Sequence, residues 1–387
     1  MQKALEKAKS LENDLNSLEK RLKTNNELDF QEKKQLEDIL RKREELMNEI
    51  KTLQEQNRST NEKAKQFNQQ SPELNQKMEQ LQKILDDLLN EDTKKLYDEL
   101  KKLLDQKQSE RMKDRLEKLQ NRERNLEKEL ERSLELFKRM QLEQKMENAI
   151  KDLEELADRQ EKLAEETLKN DKNKNADDKK AKNEELKKEQ DAIKDAFEQE
   201  KKDLDELEKM SDELDEPFDS QEQEQQNASE QMEKSQQNLQ KQQNQPASEA
   251  QKKAAKSMRN MANALQENMM MSGMQQMQED IDAMRDILEN LLKLSFDQER
   301  LMKEFKGVSL QDPRFVKLGQ EQLKLQDDAK VIEDSLYALA GRVAQIQSFI
   351  TRELNDMKGY MDESVQNIKD RRTNVAASKQ QFAMTSI

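Results

Sequence analysis

Apolar residues recur along most of the chain at alternating steps of four and three. This spacing places them in a row on one face of an α-helix, and such a row, here called a seam, is typical of coiled coils. The first seam comprises Ala4, Ala8, Leu11, Leu15, Leu18 and Leu22. A second seam, Leu36, Ile39, Leu46, Ile50 and Leu53, has Arg43 in line and is therefore weaker. Between them, Asp29 and Glu32 resemble a capping box. Residues 1–70 are predicted to form a helical hairpin.

A new helix is predicted to begin near residue 71. Ser71 can cap it, Pro72 suits its first position and Glu73 complements the positive end of the helix dipole. Seam residues continue as far as Leu168, although Glu123 and Ser133 occupy two seam positions. The pattern favours one continuous helix over residues 72–168. After a polar tip near 169–183, a second helix would fold back and end at Pro217, so that residues 71–217 form a long hairpin.

Residues 218–248 are rich in glutamine and contain few large apolar side chains. Such a segment cannot bury enough surface to fold alone. It is predicted to be a linker, a frayed helix or a helix that leans on a neighbour.

The last region, residues 249–387, is richer in methionine and other apolar residues. One seam in it comprises Met270, Met274, Met277, Ile281, Met284, Leu288 and Leu291. A turn is predicted at 306–314, where Gly307 can end a helix in the left-handed conformation and Asp312-Pro313 can begin the next. The final helix has the longest seam, from Ile332 to Ile368. The predicted fold is all-α, with long antiparallel coiled-coil hairpins and a better-packed C-terminal bundle over residues 250–380.

Composition excludes several classes of site. The chain is 40% charged, with a net charge of −14 and both signs interleaved, which disfavours the basic face of a nucleic-acid-binding protein. It contains no histidine and no cysteine, so zinc sites built on them and Ser–His–Asp or Cys–His catalysis are impossible. No Walker motif is present. We therefore expect no cofactor, no metal and no enzymatic activity.

Membrane contact is expected only through segments outside this chain. No apolar run reaches the roughly 18–20 residues of a membrane span, and "MQKALEKAKSLENDL" has charges where a signal peptide would be apolar. Both ends of the sequence resemble interrupted helices, so we expect the chain to be part of a longer protein.

The cluster "NMMMSGMQQM" at 268–277 permits four interpretations. Packing within a seam is favoured, because Met270, Met274, Met277 and Met284 share one helical face. The same four residues could instead form an adaptable groove for a partner helix. Copper binding through thioethers and membrane insertion are weaker alternatives.

Several stretches resemble a family of large Bacteroidota envelope proteins. The most specific are "LLKLSFDQERLM" at 291–302 and "DPRFVKLGQEQLKLQDDAKVIEDSLYALAGRVAQIQSFI" at 312–350; "LDFQEKKQLEDIL", "ELERSLELFKRMQLEQKMENAIKDLEELADRQEKLAEET" and "QQFAMTSI" add to the likeness. Members of that family look like N-terminal membrane segments followed by a long, Gln/Glu/Lys-rich periplasmic coiled-coil region of unknown function. The resemblance implies no catalytic residues.

The function expected from this resemblance is structural. The chain would be a scaffolding coiled-coil region of a membrane-anchored protein on the periplasmic side of the cell envelope, with protein partners. Two alternatives stay open: a regulatory module that captures a partner helix on its Met-rich bundle, and a coiled-coil arm of an SMC-like ATPase, for which a cytoplasmic location would apply. The pattern does not decide whether helices pair within or between chains.

Overall fold

The computed structural model describes residues 1–24, 30–67, 71–88, 91–105, 109–172, 175–216, 218–309, 311–343, 345–346 and 348–387, and these contain helices and no strand. The predicted all-α class is confirmed. The helices are α1 (Gln2–Thr24), α2 (Phe30–Phe67), α3 (Pro72–Leu88), α4 (Glu91–Asp105), α5 (Ser109–Asp171), α6 (Ala176–Asp212), α7 (Glu222–Gln240), α8 (Asn244–Lys306), α9 (Arg314–Ala340), α10 (Ser348–Lys369) and α11 (Thr373–Ser386).

The chain divides into two compact units, one of which combines both ends of the sequence. The first unit consists of Met1–Phe137 together with Glu279–Ile387, and the second of Lys138–Gln278. Below, the second unit is called the central bundle. The two segments of the first unit are called the N-terminal bundle and the C-terminal bundle. The predicted regions at 71–217 and 249–387 thus each contribute residues to both units, because α5 and α8 each run across a boundary.

In the N-terminal bundle, α1 and α2 run antiparallel, and so do α2 and α3. Lys7 on α1 pairs with Glu49 on α2 at 3.0 Å, and Asn57 on α2 donates to Gln82 on α3 at 2.8 Å. The predicted cap is present, since Ser71 Oγ accepts a hydrogen bond from the N–H of Leu74 at 3.2 Å. The predicted capping residue Asp29 lies outside the described residues. The interval predicted as one helix over 72–168 is described as α3, α4 and α5, and the residues between these helices lie outside the description.

The central bundle packs α5, α6, α7 and α8 around a core that includes Leu153, Phe197, Met232 and Met258. The polar tip is shorter than predicted. Asn175 caps α6 by accepting the N–H of Asp177, and the buried Asn170 donates to Asn183 Oδ1 at 2.8 Å. The glutamine-rich segment forms α7, whose Ala228, Met232 and Leu239 are buried. Of the three interpretations of this segment, the structure favours a helix that leans on its neighbours.

The C-terminal bundle packs the end of α8 with α9, α10 and α11. The turn near Gly307 is present, and Asp312 Oδ1 accepts the N–H of Arg314 at 2.9 Å as α9 begins. The left-handed conformation predicted for Gly307 is wrong, because no described glycine has a positive φ.

The prediction of one unbroken final seam from Ile332 to Ile368 is also wrong, since α9 ends at Ala340 and α10 begins at Ser348. The physical reason lies on α5. The buried Arg132 side chain donates to the carbonyls of Ala340, at 3.0 Å, and of Ile346, one on each side of the break. These bonds satisfy carbonyl groups that would otherwise bond within a continuing helix. At this joint the Glu135 carboxylate of α5 occupies the space that a Cβ atom of Gly341 would take, so α5 packs closely against the chain there.

The central and C-terminal bundles repeat one pattern. Residues 232–258 align with 361–387 without a gap, each residue matching the one 129 positions later, and identical pairs include Met232 with Met361, Ser235 with Ser364, and Gln251 with Gln380. The turn between the two aligned helices is also the same. Gln242 and Arg371 both adopt left-handed backbone, with φ 57° and 60°. The N–H of each following residue bonds the carbonyl five positions earlier at 2.8 Å.

Each of these two bundles contains a buried polar layer with one residue from each helix. In the central bundle the layer is Gln160, Gln190, Ser235 and Gln251; in the C-terminal bundle it is Gln298, Gln322, Ser364 and Gln380. Gln160 and Gln190 exchange two hydrogen bonds of 2.8 and 3.1 Å, and so do Gln298 and Gln322. In each layer a third glutamine donates to an oxygen of this pair. Gln251 donates to Gln190 Oε1, and Gln380 donates to Gln322 Oε1. The two bundles are therefore copies of one four-helix module.

Candidate functional site

Three of the four predicted site residues lie together on α8 with exposed side chains. The side chains of Met270, Met274 and Met277 are 61%, 76% and 65% exposed. Met284 is partly buried against the core of the C-terminal bundle and does not join them. The favoured prediction, that Met270, Met274 and Met277 pack within a seam, is therefore wrong within this chain.

The reason is that α7 does not extend along this part of α8. Asn260 on α8 contacts Glu224 at 3.3 Å, close to the first residue of α7, so α8 continues past the start of α7. Met258, Met261 and Leu265 are buried under the neighbouring helices, whereas the methionines that follow are not. Farther along α8, the buried apolar residues include Ile287, Leu294 and Leu301.

We call the exposed side chains of Met270, Met271, Met274 and Met277 the methionine face. Met271, which is 71% exposed, was not among the predicted site residues because it lies off the main seam. Residues 268–278 contain no charged side chain. Methionine is flexible and polarisable, so a face of this kind adapts to apolar partner surfaces.

A second group of polar residues lies within the first unit, where α5 meets the joint between α9 and α10. Arg132 Nη1 lies 3.3 Å from Glu129 Oε2, and Thr351 Oγ1 donates to the other oxygen of that carboxylate. Burial raises the pKa of the Glu129 carboxyl, while the neighbouring Arg132 opposes the rise. Lys128 and Lys358 both contact the buried Glu333, the latter at 2.7 Å. These groups attach the joint to α5.

A cavity of about 290 Å³ adjoins this group. Its charged lining consists of Arg43, Arg122, Arg352, Asp86, Asp87 and Glu129. Three guanidinium groups against three carboxylates favour neither an anion nor a cation. Across the described residues, no cluster of three or more potential ligands is arranged to hold a metal ion.

The buried ion pair between Arg43 and Glu123 is a feature that the sequence analysis missed. Arg43 Nε lies 2.8 Å from Glu123 Oε1, both side chains are buried, and the Arg43 guanidinium lies 5.4 Å from the centre of the Tyr97 ring. Burial raises the pKa of Glu123, and the charge of Arg43 opposes this. Both residues interrupt apolar seams on different helices. Opposite charges at two such positions were the available signal that the helices pack together.

Comparisons of the chain with protein-family models, with curated proteins and with solved structures find no match. In the part of the chain that the structure describes, no helix combines the length and the apolar character needed to cross a membrane.

Proposed function

We propose that this chain is a structural scaffold built from helical modules, and that it belongs to the periplasmic part of an envelope protein. The observation that supports the scaffold is the duplicated four-helix module, whose helices and polar layers repeat between the central and C-terminal bundles. Repetition of a supersecondary unit is typical of proteins that build extended helical surfaces. The place in the envelope rests on the family resemblance alone.

A scaffold requires a stable shape and no reacting group. The more a substitution lowers the folding stability of a scaffold, the more of its cellular function should be lost. Variants of buried layer residues such as Gln190 should lose function in proportion to the loss in unfolding free energy. Substitution of any single exposed carboxylate should leave function intact. If one exposed substitution abolished function without moving the unfolding midpoint, a reacting group would be indicated and the scaffold proposal would be overturned.

The location has its own test. A tagged copy of the parent protein should be recovered with the cell envelope and should be digested by protease once the outer membrane is permeabilised. Recovery in the cytosolic fraction would overturn the envelope part of the proposal and leave the scaffold part standing.

A second candidate function is favoured by the methionine face. Four exposed methionines on one helix, with no charge among residues 268–278, would suit the docking of a helix through apolar contacts. Changing Met270, Met274 and Met277 to glutamine should abolish docking and leave helicity unchanged. Loss of helicity would instead indicate a packing role.

A further inference from the structure

We infer that the methionine face is the contact by which this chain binds a second copy of itself. This inference rests on the second candidate function, the use of the face as a docking surface for a helix. It goes further by naming the docked helix, which is α8 of another copy.

The first argument is symmetry. Met271 and Met277 lie three residues before and three residues after Met274. If a second α8 crosses antiparallel with its twofold axis at Met274, Met271 of each copy meets Met277 of the other, and the two Met274 side chains meet each other. A face that is complementary to itself in this way forms a closed, isologous dimer.

The second argument is charge. Each copy carries a net charge of −14, so two copies repel each other over most of their surfaces. Residues 268–278 are uncharged, whereas 40% of the whole chain is charged. Contact at this stretch places the fewest like charges opposite one another.

The expected dimer is weak. Stable interfaces bury about 800 Å² on each partner, which is more than four partly exposed methionine side chains provide. Association should therefore depend on concentration.

Sedimentation equilibrium of the full chain tests the inference. The average mass of the chain without substitutions, called the parent in this experiment, should rise from monomer towards dimer across concentrations of about 1–300 μM, the range of weak complexes. The triple variant Met271→Gln, Met274→Gln and Met277→Gln should stay monomeric with unchanged helicity. A Val331→Gln variant, changed at an exposed apolar residue on α9, should associate like the parent. A parent that is monomeric throughout, or a triple variant that dimerises equally, overturns the inference.

A single cysteine tests the position of the axis, because the chain contains none. Met274→Cys should form a disulfide-linked dimer under mild oxidation about tenfold faster than Val331→Cys, since pairing at the axis raises the effective thiol concentration. Equal rates would overturn the antiparallel arrangement. If the parent stays monomeric while its methionine face captures a helix of another protein, the inference fails and the docking function stands. If the methionine variants change no binding at all, both fail.

Discussion

The neutral layer of the central bundle and the charged layer of the N-terminal bundle are two ways of burying polar residues between helices. In the central bundle, Gln190 Oε1 accepts from Gln160, Ser235 and Gln251, so uncharged groups hold the layer together, although Oε1 of Gln251 is buried without a hydrogen-bond partner. In the N-terminal bundle, Arg43 Nε lies 2.8 Å from Glu123 Oε1, and the guanidinium lies 5.4 Å from the centre of the Tyr97 ring.

The difference shows what each layer depends on. A buried amide loses hydrogen bonds when its partner is removed, and this costs about 1–3 kcal/mol for each unsatisfied group. A buried ion left without its partner costs about 3–5 kcal/mol, although replacing both ions by apolar residues is often neutral. The charged layer should therefore be more sensitive to single substitutions and less sensitive to paired ones.

The largest expected loss of stability comes from breaking the charged layer. Arg43→Leu should lower the unfolding free energy of the first unit by about 4 kcal/mol, because Glu123 would be left buried without its counter-ion. The double variant with Glu123→Leu should recover most of the loss. Denaturant titration of both variants measures this. A single variant no less stable than the double variant would contradict the importance of the pair.

The second largest loss of stability is expected from breaking the neutral layer. Gln190→Leu removes one donor and the acceptor of three hydrogen bonds, so the central bundle should lose about 3 kcal/mol. Gln199→Leu on the exposed side of the same helix serves as the control, and it should change stability by less than about 0.5 kcal/mol. Equal effects of the two substitutions in urea unfolding would show that the layer contributes nothing specific.

A third prediction sharpens the comparison between the two copies of the module. Glu200 of the central bundle is buried. The layer residues Gln190 on α6 and Gln322 on α9 are 132 positions apart, and by the same offset the counterpart of Glu200 is the apolar Ile332. Burial raises the pKa of Glu200 from 4.5 to about 8, with further contributions from the negative charges of Asp152 and Asp203. The folded chain then binds a proton that the unfolded chain releases, so stability should fall as pH rises from about 4.5 to about 8.

Glu200→Ile should remove that pH dependence. At pH 9 it should stabilise the central bundle by about 2 kcal/mol, and at pH 4 it should have little effect. Thermal unfolding at the two pH values measures the difference. An identical gain at both would show that packing, rather than ionisation, is responsible.

The smallest effect concerns the two environments of methionine on α8. Met274→Gln should change the unfolding free energy of the monomer by less than about 0.5 kcal/mol, because the side chain is exposed. Met261→Gln, at a fully buried position, should cost about 2 kcal/mol or more through the burial of an amide without partners. Similar losses at both positions, measured at a concentration where the chain is monomeric, would show that the methionine face is packed in solution.

Local pattern predicted the helices well and their partners poorly. The seam residues Leu11, Leu36, Ile50 and Leu81 are buried, Ser71 caps α3, and the turn after Lys306 is present. The pairing of Arg43 with Glu123 could not be read from one seam, since the residues are 80 positions apart. The duplication of the module was readable, because residues 232–258 and 361–387 align without a gap, but a search for seams alone overlooks it.

The sequence by itself determined that the chain is helical and which face of most helices is apolar, because helical periodicity is a property of neighbouring residues. Only the tertiary structure decided which of those faces are covered. Arg132, on α5, reaches the joint beside Gly341 and accompanies the break in a seam that reads as continuous. The seam through Met270, Met274 and Met277 is left open because α7 begins at Glu222 and covers only the earlier part of α8. A seam shows which face of a helix can be buried, and the neighbouring helices determine which part of that face is buried.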